Sequence, residues 1–199
     1  MLLLPGHSCW RVERADRVAV LVENADYFRA VSKAIHSAKR SITLLGWQFD
    51  PRTNLDPING DHSAAGEIGH QLRRLVRERP ELDIRLLIWR SPLPIALSQG
   101  LYPQRAEAWF RKRAVDFRLD TPGAMGACHH QKVLVIDDRL AFCGGGDIST
   151  DRWDDCDHLD DDVRRSKPDG IICPPRHEVM MMVDGAAARM GEVKYWFSR

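Results

Sequence analysis

Apolar positions in this chain follow two periods in turn, a short alternation and a helical spacing, along most of its length. The run VAVLV, Val18 to Val22, predicts a strand. Phe28, Val31, Ile35 and Ala38 then recur at helical spacing, behind an Asn24 suited to cap that helix. SITLLGWQF, Ser41 to Phe49, predicts a second strand, closed by Pro51. A stretch rich in Asp, Asn, Pro and Gly follows to Ser63 and reads as a loop. Ile68, Leu72, Leu75 and Val76 mark another amphipathic helix. Arginines crowd its last turn, where they suit the helix dipole, and Pro80 stops it.

The alternation then resumes. DIRLLIW (Asp83 to Trp89) is a strand, SPLPIALSQGLYP a loop, QRAEAWFRKRA a helix and VDFRLD a short strand. TPGAMGA reads as a flexible approach to Val133–Ile136 and Leu140–Cys143, two strands joined by the turn DDR. Beyond an acidic stretch and a Pro-rich loop comes the strand EVMMMV, with a last helix starting near Gly185. Strands alternating with helices argue for an α/β sandwich with a mixed sheet, and the DDR turn for one antiparallel pair.

Composition narrows the class. The 199 residues fit one domain, able to bury a core without staples. A net charge of +1 means that any anion site must be local rather than a basic surface. The five cysteines are odd in number and form no CxxC pair, which reads as free thiols in a cytoplasmic setting. MLLL is broken at once by Pro5 and Gly6 and has no basic residues before it, unlike a signal peptide. No stretch approaches a membrane span, so contact with a membrane would be peripheral.

The chemistry gathers between His129 and Asp154. Residues two apart on a strand share a face, so His130 and Lys132 point one way at the entry to a strand, and His129 and Gln131 the other. Asp137 falls at the turn on the opposite parity, where it stabilises the turn or meets a basic neighbour. Gly144, Gly145 and Gly146 end the next strand, and Asp147 follows. In a hairpin these return towards His130 and Lys132. An imidazole, an ammonium, backbone N–H groups and a carboxylate in one pocket suit phosphoryl chemistry. Trp47, at a strand end, lines the pocket mouth or belongs to the core. Two metal readings compete with this one. Cys128, His129, His130, Cys143, Cys156 and His158 match no zinc-finger spacing, and DISTDRWDD lacks the sixth-position glycine of an EF-hand loop.

HHQKVLVIDDRLAFCGGGDISTDRWD resembles the signature of the phospholipase D superfamily, H-x-K-x4-D followed by Gly-Gly/Ser-x-Asp/Asn. AIHSAKRSITLLGWQFDP, DIRLLIW and RHEVMMMVDGAAA resemble its flanking blocks, so the likeness covers about residues 10 to 190. It implies one α/β/α domain over residues 1–199 with a mixed, mostly parallel sheet, and a tail that diverges after about residue 190. It also implies a metal-independent, cofactor-free reaction. His130, Lys132 and Asp137 would be the catalytic motif, with His130 forming a phosphohistidine and Lys132 holding phosphate oxygens. Gly145, Asp147, His129 and Trp47 would shape substrate binding. A carboxylate further along, Asp161 or Asp162, would orient the histidine.

The family's larger members carry two motifs, and this chain carries one: His177 has no lysine two residues on. The resemblance therefore leaves three arrangements open, a homodimer, a pair with a separately encoded second half, or an inactive truncated chain. Gly145, where many nucleases have Ser, and DRWD favour a phospholipid substrate and transphosphatidylation over nucleic acid. A catalytically incomplete binding or assembly module and a dimeric endonuclease stand as alternatives.

Overall fold

The computed structural model describes residues 2–59, 63–92, 102–111, 115–121 and 127–189. The loop after Ser91, the approach to the motif and the tail lie largely outside these residues.

The strands are β1 (Ala15–Val22), β2 (Ser41–Gly46), β3 (Asp83–Trp89), β4 (Val115–Asp120), β5 (Val133–Ile136), β6 (Leu140–Gly144) and β7 (Val179–Gly185). The helices are α1 (Asn24–Ser37), α2 (Ile68–Glu78) and α3 (Tyr102–Phe110). One seven-stranded sheet runs in the order β1-β7-β6-β5-β2-β3-β4. Only β2–β3 and β3–β4 pair in parallel; the other four neighbours are antiparallel. The sheet is mixed as expected but mostly antiparallel, correcting the parallel expectation. The connections explain it. Parallel neighbours need a crossover, which α2 and α3 supply, whereas the three-residue link from Asp137 to Arg139 permits only a hairpin.

The core lies on one face of the sheet. Ile42, Leu44, Ile84, Leu86, Ile88, Leu134, Ile136, Phe142 and Met180 meet Phe28, Val31 and Ile35 of α1, Ile68, Leu72 and Leu75 of α2, and Ala106 and Phe110 of α3. Burying each large side chain contributes about 1.5–3 kcal/mol. All three helices therefore pack on this face among the described residues. The opposite face holds a small cluster, Val133, Val135 and Ala141 under Ala188, with Leu45 and Val183 at its margin. Beside it Val18, Val20, Val22, Val179 and Met181 are exposed.

Two helix boundaries depart from expectation. α1 begins at Asn24, so Glu23 holds the cap position, and no side chain caps the helix. The Asp154 carbonyl accepts from Ala25 N instead, at 2.9 Å, and Asn24 Nδ2 donates to the Arg152 carbonyl. A long-range partner thus replaces the local cap. The last helix near Gly185 is, within the described residues, a 3-10 turn at Ala186–Ala188. No helix among the described residues is long and apolar enough to cross a membrane.

The register fixes a functional edge. β1, β2, β3, β4 and β6 end where β5 and β7 begin. Every loop leaving that edge can reach its neighbours.

Candidate active site

Lys132 enters β5 at this edge and is almost wholly buried. Its Nζ lies 3.2 Å from Asp147 Oδ2, with 7% and 0% of the two side chains exposed. Asp147 Oδ1 accepts from the Trp47 and Gln48 amides at 2.9 and 3.0 Å, pinning the chain as it leaves β2. Burial pushes the Asp147 carboxyl up, against the pull of the Lys132 ammonium, the Gln48 amide and Arg152. A carboxylate that already binds two amides leaves the lysine head partnered on one side.

His130 is exposed two residues earlier. Its ring stands edge-on to Trp47 with centroids 5.4 Å apart, and Trp47 stacks on Trp89 at 5.6 Å. Lys132 Nζ is 5.6 Å from the Trp47 ring centre and 3.4 Å from the His130 carbonyl. The half-buried Trp47 therefore forms the wall between imidazole and ammonium rather than a piece of the apolar core. Trp89, which the sequence reading passed over, backs that wall. Its position as the last residue of β3, at the edge where β2 also ends, was the available signal.

The glycines do something other than expected. Gly144 N donates to the Lys132 carbonyl, Gly145 N to the Val179 carbonyl and Gly146 N to Met180 Sδ. Their amides serve the sheet and core and form no free anion cradle, so Gly145 is not placed as a phosphate donor. Their value is lack of bulk. A Cβ on Gly144 would lie 2.3 Å from the Val179 carbonyl, and one on Gly145 2.3 Å from Glu178 Oε2.

That last contact exposes a second residue missed by the sequence reading. The ladder pairs Val133 with Cys143 and Cys143 with Met181. Carried outward, the same rows align Lys132 with Gly144 and Met180, and His130 with Gly146 and Glu178. Alternation then puts Glu178 on the face of His130 and Lys132. Glu178 is held by Arg176 at 3.5 Å and Arg152 at 3.8 Å. Arg152 in turn donates to Gln48 Oε1 at 2.6 Å, which closes a network back to Asp147.

Four expected residues lie elsewhere. Asp137 is at the far end of β5, where it accepts from the backbone of Lys39, Arg40 and Ser41. It is a clamp on the turn, as its parity indicated, and does not touch the pocket. Asp162 caps a 3-10 turn and pairs with Arg164 at 2.6 Å, and the exposed Asp161 sits at φ +52 in the same loop. Both acidic residues shape that loop around Arg165, which is buried and paired with Asp154 at 2.6 Å; neither contacts His130. The carboxylates that the calcium reading required are held by cations: Asp154 by Arg165, Asp155 by Arg164, Asp147 by Lys132 and Asp151 by Arg152. His129 points away from Lys132, and its Nδ1 donates to Asp120 at the end of β4.

An imidazole and a buried ammonium on one strand entry, flanked by stacked tryptophans on a mixed sheet, define an α/β domain of the H-x-K class. Comparison with known proteins makes the class specific. No family model matches. Phospholipase D2 of Bos taurus is 29% identical over 180 residues, covering 86% of this chain and 19% of that protein. Nuc of Salmonella typhimurium, a phospholipase D family member, superposes with a TM-score of 0.57 at 15% identity, covering 92% of this chain and 94% of Nuc. Phosphatidylserine synthase of Haemophilus influenzae superposes with a TM-score of 0.59 at 16% identity, covering 92% of this chain and 36% of that one. In sequence the chain is thus similar to phospholipases D, and in fold to Nuc, a phospholipase D family member; it carries one H-x-K-x4-D motif, at His130, Lys132 and Asp137. It spans about a fifth of the length of its Bos taurus relative.

Proposed function

We propose that this domain supplies one half of a phosphodiesterase site acting on phospholipids. The observation that carries the reading is the grouping of exposed His130 with buried Lys132 and Asp147 at one sheet edge. In the proposed reaction a His130 ring nitrogen attacks phosphorus and the bond to the leaving alcohol breaks. Lys132 offsets the charge gathering on the non-bridging oxygens. The leaving oxygen takes a proton from a second histidine. Water or another alcohol then attacks the phosphohistidine, returning His130 and giving hydrolysis or phosphatidyl transfer.

The proton donor requires a second motif, from a second copy of this chain or from a partner half. Loss of a general acid lowers rates by about 10²–10⁴-fold, so an isolated subunit is expected to be weak. Glu178 replaces Asp161 and Asp162 as the candidate positioning carboxylate for His130; the support is that the strand rows, extended past Val133 and Met180, carry both residues to one face.

Phosphatidylcholine turnover with ethanol present tests the reading. The expected products are phosphatidic acid and phosphatidylethanol, the latter requiring a covalent phosphatidyl intermediate. Cleavage of DNA with no lipid product would favour the nuclease alternative. No turnover of any phosphodiester by the assembled protein would leave a binding module.

A further inference from the structure

We propose that Glu23, His158 and His177 form a binding site for one zinc-type transition-metal dication, separate from the phosphoryl site. These residues come from the β1–α1 junction, the acidic stretch between Asp151 and Asp162 and the residue pair before β7. They are the one group of His, Cys and carboxylate side chains among the described residues whose ligand atoms all lie within 4.8 Å of one another.

The donor geometry favours a metal. Glu23 is 2% exposed, and its Oε2 accepts from the Glu178 amide at 3.2 Å, leaving Oε1 directed at both imidazoles. His158 Nε2 lies 3.3 Å from Oε1, and His177 Nδ1 also contacts it. Among the described residues no lysine or arginine pairs with Glu23, so its buried charge must be matched by protons or a cation held on those two rings.

His158 is oriented as metal-binding histidines are. Its other nitrogen, Nδ1, donates to Asp154 Oδ2 at 2.9 Å, which fixes the tautomer and frees Nε2 to bind. Asp154 is itself fixed by Arg165 at 2.6 Å and by the Arg176 amide at 2.7 Å. The set is two imidazole nitrogens and one carboxylate oxygen, which suits zinc and its neighbours rather than calcium or magnesium. The His177 side chain is 67% exposed, so water or an outside ligand can complete the coordination. A dication there would tie three distant segments together beside Glu178.

Cobalt and zinc titration of chelator-treated protein tests the site. The expected result is saturation by one equivalent, with cobalt giving visible bands of four- or five-coordinate geometry. His177→Ala and His158→Ala should each weaken binding at least about tenfold, while His129→Ala leaves it unchanged. His177 is exposed, so circular dichroism of that variant should match the parent. Absence of saturable binding in the micromolar range would overturn the proposal, as would undiminished binding in both histidine variants or its loss in His129→Ala.

Discussion

At the scale of single residues, the consequential group is a lysine buried against one carboxylate. Removing one partner of a buried pair costs about 3–5 kcal/mol, because the other charge remains without compensation. Asp147→Ala should therefore lower stability by about that amount in urea unfolding, and also release the Trp47 and Gln48 amides. A loss under about 1 kcal/mol would mean that Lys132 finds another partner. Asp137 gives a separate prediction. Burial pushes its carboxyl up, but the Ser41, Lys39 and Arg40 amides and the Arg40 guanidinium outweigh that and hold it low. A lowered folded-state value adds stability above the unfolded value of about 3.9, and that stability is lost as pH falls through the folded value. Asp137→Asn should thus be less stable than the parent near pH 7, and the gap should narrow in acid. Glu178→Gln should lower the maximal rate of phosphatidylcholine turnover at unchanged KM and circular dichroism, whereas Asp162→Asn should leave that rate unchanged. The face shared by His130 and Lys132 was legible, because strand parity is local. The partners of Asp137 and Asp162 were not equally so: Asp137 answers to backbone nearly a hundred residues away, and Asp162 to an arginine that composition does not single out.

At the scale of elements, the glycine run is a packing device at the end of β6. Gly144 faces backbone, the Val179 carbonyl, which has little freedom to move. Gly145 faces the end of a Glu178 side chain that can swing aside. Gly144→Ala should therefore cost about 1–3 kcal/mol by urea unfolding, and Gly145→Ala distinctly less. Equal costs would contradict this placement. Helix and strand periods were readable here because α1, α2 and β2 each bury one clear face, while β3 and β5 are apolar runs buried at most positions. Strand direction was not, since it depends on which strands the long connections bring together. The cap of α1 escaped for the same reason: its acceptor is the Asp154 carbonyl, and no local sequence pattern encodes it.

At the scale of the whole molecule, the proposed reaction would make assembly decisive, because the chain brings one motif to one sheet edge. The exposed valines of β1 and Met181 of β7 lie on the face opposite the three helices, and the catalytic candidates lie along a single edge. The motif, the helices and the mixed character of the sheet were legible from sequence; the source of the second histidine that the proposed reaction needs was not, because it would be a property of the assembly. The measurement that tests the central claim most directly is phosphatidylcholine turnover by the parent and His130→Ala, compared at the same oligomeric state and with matching circular dichroism. Loss of the nucleophile should reduce turnover by at least about a thousandfold while the fold is retained. Undiminished turnover in His130→Ala would contradict the account.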